Sequence, residues 1–381
     1  MEFTISKNDL VRELQTVTGV VEKRSTVPIL ANLLLEAKGE RLLVGASDLE
    51  VTIRGSAKAN VKSEGSVTLP AGKLHEIARS LPDAEVHFKL LDRNAVSITC
   101  ERTRYRISGQ PRDDFPSFPE LDESRGVKIS GKALNDMIDR VAFSITDPRY
   151  SLNGALLLLE EGKITLVATD GHRLAFVSRE LDLKLRDGDV RVVVPRKALT
   201  ELAKLTEDID EGEAVIFGKT DNQIFFTIGE HKLTSNVLEG KFPNYENVMP
   251  GSCSTVITVP TEELCKAVKR VSLLASERHG RAVSLNLSNG KLDLFSKTEM
   301  GEARESLEID YDGNEMDIGF NARYLLDFLN VVGSSSVSLE LNPIKPGDEQ
   351  KSVDPGDKPG QFRPEPGGSM DYRYVVMPMH L

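Results

Sequence analysis

Apolar and polar residues alternate along much of this chain, the mark of half-buried strands. Between those runs lie short stretches whose apolar residues return every three or four positions, the mark of helices packed on one face. The helical stretches come in pairs. ISKNDLVRELQTVTGVV from Ile5, ISGKALNDMIDRVAFSI from Ile129 and VPTEELCKAVKRVSLLA from Val259 each open with a short strand and a polar cap before an amphipathic helix. In these, Leu10, Leu134 and Leu264 fall in register, 124 and 130 residues apart. A second helix follows a strand in each case: LPAGKLHEIARSL, VPRKALTELAKL and FNARYLLDFLNVV, with Leu74, Leu199 and Leu325 at spacings of 125 and 126. Strand-type segments fill the space between the helices (RLLVGASDLEVTIRG, KITLVATDGHRLAFVS, KLDLFSKTEMGEARESLEI), and two further strands are expected after the second helix. One unit is therefore written three times.

Copies one and two end on matching loops, DDFPSFPEL and GKFPNYENVMP, so domains are expected at residues 1–124, 125–251 and 252–381. Short helices among many strands predict an α+β fold, with two helices per unit covering one face of antiparallel sheets. Residues 343–368 hold six of the 18 prolines and almost no aliphatic side chains, and they are expected to form a disordered insertion between the last two strands of copy three.

Composition narrows the class. The first 25 residues are charged throughout and contain no signal-peptide core, and no apolar run approaches the ~20 residues of a membrane span. Three cysteines, Cys100, Cys253 and Cys265, form no CxxC pair and have no histidine at metal spacing, so the expected setting is a reducing cytoplasm without disulfides, metal or cofactor. The net charge of −11 is unevenly spread: the six helical windows and their exits hold 18 Lys or Arg against 12 Asp or Glu, a balance of +6, which leaves −17 for the rest. Basic helices in an acidic chain suit attraction to phosphates. Lys and Arg are also good helix formers, and those at helix exits complement the dipole, so the count alone leaves both readings open.

Several strings imitate catalytic motifs. Asp170, His172 and Arg173 in TDGHRL have the composition of a hydrolase centre, and a repeat-built hydrolase using Asp170 and His172 is the alternative function. Asp-Gly is first a tight-turn signal, however, and the sister strings SDLEV and KTEMG bring no nucleophile. Gly218-Lys219-Thr220 lacks the earlier glycine of a phosphate loop, since position 213 is Glu. The acidic run from Glu207 to Glu213 lacks the ligand order of a calcium loop. No catalytic residue is expected.

Three strings, STVPILANLLLEA, SLNGALLLLEEGKITLVATDGHRLA and the terminal YRYVVMPMHL, resemble the bacterial DNA polymerase III beta subunit family, the beta sliding clamps, and the resemblance spans essentially the whole chain. It implies three similar clamp domains per chain and a head-to-tail homodimer closing a six-domain ring, with helices lining the hole. It implies duplex DNA, encircled without sequence readout, as one partner. The DNA polymerase III alpha subunit, the clamp loader, and other polymerases and repair proteins carrying clamp-binding peptides are the rest. Matching positions for DNA contact are Arg24 and Tyr150, and the basic count adds Arg149. The implied peptide pocket comprises Leu152, Thr169, Gly171, His172, Arg173, Leu174, Pro243, Asn247, Val248, Val375, Val376, Met377, Pro378 and Met379, with His172 and Arg173 as donors at its edge. Ring closure would use Tyr105 and Ile107 on an edge strand against Leu273 and Leu274 on the first helix of copy three. Departures from the family pattern are Ser151 after Tyr150, where a second Tyr can stand, and Asn247 and His380, where Arg is common.

Overall fold

Among the described residues, six α-helices form where they were expected, each beginning as a strand ends on a polar or proline position. In copy one the order is β1 (Glu2–Ser6), α1 (Lys7–Thr18), β2 (Asn32–Lys38), β3 (Arg41–Ser47), β4 (Val51–Lys58), β5 (Asn60–Ser63), β6 (Gly65–Pro70), α2 (Ala71–Ser80), β7 (Glu85–Leu90), β8 (Ala95–Cys100) and β9 (Thr103–Ser108). Copy two runs β10 (Val127–Ser130), α3 (Gly131–Val141), β11 (Gly154–Glu160), β12 (Lys163–Thr169), β13 (Arg173–Glu180), β14 (Val190–Pro195), α4 (Arg196–Thr206), β15 (Ala214–Lys219), β16 (Gln223–Ile228) and β17 (His231–Asn236). Copy three runs β18 (Thr255–Pro260), α5 (Thr261–Val271), β19 (Ala282–Ser288), β20 (Lys291–Thr298), β21 (Gly301–Glu308), β22 (Met316–Asn321), α6 (Ala322–Leu329), β23 (Ser336–Leu341), β24 (Gly360–Glu365) and β25 (Met370–Val376). Among the described residues, three strands, not two, follow the second helix of every copy. The computed structural model describes residues 1–22, 27–120, 123, 126–146, 153–186, 188–238, 240–251, 253, 255–275, 281–341 and 358–379.

Two compact units emerge, residues 1–135 with 194–237, and residues 136–193 with 238–381. Unit one holds a five-stranded sheet, β5-β1-β7-β8-β9, and an eight-stranded sheet, β10-β15-β16-β17-β4-β3-β2-β6. Unit two holds an eight-stranded sheet, β14-β11-β12-β13-β25-β24-β23-β18, and a four-stranded one, β21-β20-β19-β22. Each eight-stranded sheet is thus assembled from two successive copies. The seam is the same both times: the last strand of the later copy lies antiparallel on the strand after the central turn of the earlier one. Ser235 pairs with Val51 in unit one, and Val376 with Arg173 in unit two. The next amide along repeats the match, Asn236 N–H donating to Glu50 O at 2.9 Å and Met377 N–H to His172 O at 2.8 Å.

Helices cover these sheets with one apolar face. Leu10, Leu14 and Val17 of α1 are fully buried, as are Leu264, Ala267, Val268 and Val271 of α5 and Leu325 and Phe328 of α6. Each such Leu, Val or Phe contributes about 1.5–3 kcal/mol by leaving water, which explains how helices of 8–12 residues, marginal alone, are held. Ser6 caps α1, its hydroxyl oxygen accepting from Asp9 N–H.

The expectation of a disordered stretch over 343–368 needs correction. Residues 342–357 lie outside the described residues, but Gly360–Glu365 form β24, an interior strand pairing with β23 and β25. Phe362 draws it in by packing on Phe320, Phe328 and Tyr374. Pro364 is tolerated because the β25 register covers only Gly360 to Phe362, so its missing N–H leaves no β25 partner short. Among the described residues no helix is long and apolar enough to cross a membrane.

Candidate functional site

The turn Thr169–Leu174 between β12 and β13 is built by Asp170. One carboxylate oxygen accepts from His172 N–H and Arg173 N–H, both at 3.0 Å, while Gly171 N–H donates to Thr169 Oγ1 at 3.1 Å. Gly171 takes φ +87°, the left-handed region where a side chain is strained. The equivalent turn of copy one repeats every bond: Asp48 accepts from Glu50 N–H and Val51 N–H, and Leu49 N–H donates to Ser47 Oγ. There Leu49 occupies the left-handed position, at φ +77°.

In unit two this turn forms one wall of a groove of about 630 Å³. Pro243, Tyr245 and Val248, around a short 3-10 turn, form a second wall. Tyr324 of α6 and Thr146 add to it, and Val375 and Met377 close the end where β25 runs out. The floor is an apolar cluster of Leu156, Val167, Leu174, Phe176, Phe242, Tyr245 and Val375. Burial pushes the Tyr245 and Tyr324 phenols above their ordinary pKa, so both remain neutral donors at any physiological pH.

Arg173 lines the groove but is not a free donor at its edge, because its side chain is only 8% exposed and its bonds are taken. Nε donates to Asp170 Oδ2 at 2.9 Å, one terminal nitrogen to Asp327 Oδ2 at 2.7 Å and to the Tyr374 hydroxyl at 3.5 Å, and the other to Phe143 O. The guanidinium plane also lies 4.3 Å from the Tyr324 ring centroid and 5.4 Å from that of Phe143. A buried cation needs this degree of pairing. The same bonds give the alternative of hydrolysis no support: both Asp170 oxygens are occupied as acceptors, in the turn and by Arg173, and among the described residues no carboxylate bonds to the exposed His172.

Of the expected pocket residues, Thr169, Gly171, His172, Arg173, Leu174, Pro243, Val248, Val375 and Met377 converge. Val376, one place on from Val375, is fully buried on the opposite face of β25. Asn247 is exposed in the 3-10 turn, β25 ends before Pro378, and Met379 N–H donates to Gly319 O at 2.8 Å, away from the lining. Leu152 lies outside the described residues. Thr146, Asp170, Tyr245 and Tyr324 line the groove but were not among the expected pocket residues. Tyr245 had a signal, since it stands in the FPNYENV exit loop where copy one has Phe118 in FPSFPEL.

In unit one Phe118 stands at the place that corresponds to this groove. It packs with Phe115 on Ile29, Leu30 and Leu34 and lies over Gly45, where an added Cβ would come within 2.1 Å of its ring. Copy two has Val167 at the Gly45 position, in one apolar cluster with Phe176, Phe242 and Tyr245.

The expected DNA residues Arg24, Arg149 and Tyr150 lie outside the described residues. Among the described helical cations, Arg79, Arg196, Lys269 and Arg323 are exposed without an ion pair. Lys197, counted as part of the basic face, turns inward instead, donating to Val20 O at 2.9 Å and pairing with Asp48. Tyr105 and Ile107 lie on β9, an edge strand, half-buried and buried respectively. Leu273 and Leu274 fall on a 3-10 turn just beyond α5 rather than on the helix itself, and Leu273 is 81% exposed.

Family models cover this chain almost end to end: the DNA polymerase III beta subunit N-terminal domain over residues 1–119, central domain over 128–244 and C-terminal domain over 246–347. It is 36% identical over 385 residues to the beta sliding clamp of Pseudomonas aeruginosa and 35% over 394 residues to that of Caulobacter vibrioides, with full coverage of both chains each time. A crystal structure of the Pseudomonas aeruginosa DnaN sliding clamp bound to griselimycin superposes with a TM-score of 0.89 at 35% identity, again covering 100% of both chains. A Caulobacter crescentus beta sliding clamp, with polyethylene glycol bound to its putative beta-motif tethering region, gives 0.88 at 33% with the same coverage.

Proposed function

This chain belongs to the DNA polymerase III beta subunit family and serves as a DNA sliding clamp; on that premise we propose how it closes, what it holds and where. It tethers by topology, without catalysis or cofactor, acting in the cytoplasm on duplex DNA. Short peptides of the DNA polymerase III alpha subunit, the clamp loader, and other polymerases and repair proteins occupy the groove beside Leu174 and Met377. The observation carrying this is the groove's chemistry: apolar walls of Leu174, Val248, Val375 and Met377, with polar groups at Thr169, His172 and the two tyrosines. Met at the rim adapts to anchors of different shape.

The repeated seam supports a head-to-tail dimer of chains with domains at 1–124, 125–251 and 252–381. The last strand of copy two lies on β4 and the last strand of copy three on β13, which leaves the last strand of copy one, β9, and its counterpart partner in copy three, β21, as open edges. Pairing β9 of one chain with β21 of another completes the pattern and uses up both edges. Charge adds to it: Arg104 and Arg106 are exposed on β9, Glu302 and Glu308 on β21, where the Arg304 between them is paired with Asp293. Tyr105, Ile107, Leu273 and Leu274 supply the apolar part. Arg24, Arg149 and Tyr150, with the unpaired helical cations, contact phosphates without reading bases.

The test is retention on DNA after loading by a clamp loader. Protein that stays on circular plasmid and leaves after linearisation is a topological ring; equal retention on both forms would refute encirclement.

A further inference from the structure

The groove wall is held from behind by a residue that does not line it. Arg173 enters the wall from β13 with its charge almost wholly removed from water. The two carboxylates that neutralise it come from different places: Asp170 belongs to the turn, while Asp327 reaches in from α6 with Oδ2 at 2.7 Å. On α6, Asp327 lies three residues after Tyr324 and so on the same face. Tyr324 is itself groove wall, stacks on the Arg173 guanidinium at 4.3 Å, and has its carbonyl held by the Tyr374 hydroxyl at 2.9 Å. Asp327 therefore fixes a side chain that touches both the turn and the tyrosine wall.

Resting on the reading of this groove as the peptide site, we propose that Asp327 is a positioning residue for partner-peptide binding, acting through Arg173 and Tyr324. Without it the buried guanidinium keeps one carboxylate of two and a mismatched face toward α6. The cheapest relief is to swing Arg173 toward water, which lies through the groove, and Tyr324 loses its stacking partner.

The experiment is calorimetric titration of a short peptide carrying a Gln and two Leu or Phe anchors into the full-length protein, with melting temperature followed in parallel. Asp327→Asn is expected to weaken binding by about tenfold or more, and Asp327→Glu to restore it to within about threefold. In an Arg173→Met background, Asp327→Asn should change affinity by less than about twofold, because the group it acts through is gone. A purely structural role would instead lower the melting temperature and the affinity alike in both backgrounds, and that outcome overturns the proposal. So does unchanged affinity in Asp327→Asn. Should that variant not fold, Asp327→Ser carries the same cycle. Wild-type protein that fails to bind the peptide at all, or binding indifferent to Met377→Ala, refutes the groove reading itself and is read separately.

Discussion

Removing residues 377–381 tests the groove at its open end. Met377 contributes a side chain to the lining and one backbone bond, to His172 O at 2.8 Å; Met379 contributes a bond to Gly319 O at 2.8 Å. Two such bonds are worth about 1 kcal/mol each, against a core containing all of β25 up to Val376, so the truncated protein should stay folded and dimeric. The peptide loses more. An apolar anchor deprived of about 60 Å² of contact at ~25 cal/mol per Å² loses about 1.5 kcal/mol, slightly over tenfold in Kd. Met377→Ala, which keeps the backbone bond and adds no terminal carboxylate at the groove, should lose about fivefold and so separates side chain from charge. Titration calorimetry with the Gln-containing peptide reads both. Equal affinities for wild-type and truncated protein would remove the groove from this end of the chain, while a truncated protein that no longer folds would show that the last strand depends on its exit.

Leu273→Ala with Leu274→Ala should give a folded monomer in light scattering, at the 42.0 kDa of one chain instead of twice that, because an 81% exposed leucine cannot be holding its own core; persistence of the dimer would place closure elsewhere. Reversing the charge of Arg24 and Arg149, or of Arg196 and Arg323, should shorten residence on circular DNA and flatten its salt dependence without changing the circular dichroism. Leu49→Gly should raise stability by about 0.5–1 kcal/mol, the relief of a left-handed leucine less the entropy of glycine. A lower melting temperature for that variant would mean that the exposed Leu49 side chain makes a contact that matters.

The triple repeat was legible because each helix pair carries its apolar residues in register, and TDGHRL was legible as a turn because Asp-Gly has few other uses. The groove's back wall was not. Tyr324 and Asp327 sit in a helix whose spacing reads simply as core, and nothing local says that they meet Arg173, 151 and 154 residues away in sequence. The inward turn of Lys197 was hidden for a similar reason: a long side chain on a basic-looking helix can reach back to a carbonyl that sequence does not place beside it. β24 was hidden by Pro364, Pro366 and the surrounding glycines, whose breaking signal outweighed the single Phe362 that in fact anchors the strand.

On the proposed reading of the groove, Phe118 bears on how many partners a ring holds. The seam between copies is built twice in every chain, with matching bonds around Asp48 and Asp170, so the backbone offers two places for a groove. With Phe118 lying over Gly45 in one of them, the peptide site proposed above falls in the other, which gives the proposed dimer one seat per chain. Partners sharing the peptide chemistry then exchange by mass action over two seats. On that reading, a polymerase bound at one seat leaves the other chain's seat for a second tethered factor, at the high effective concentration set by its own linker.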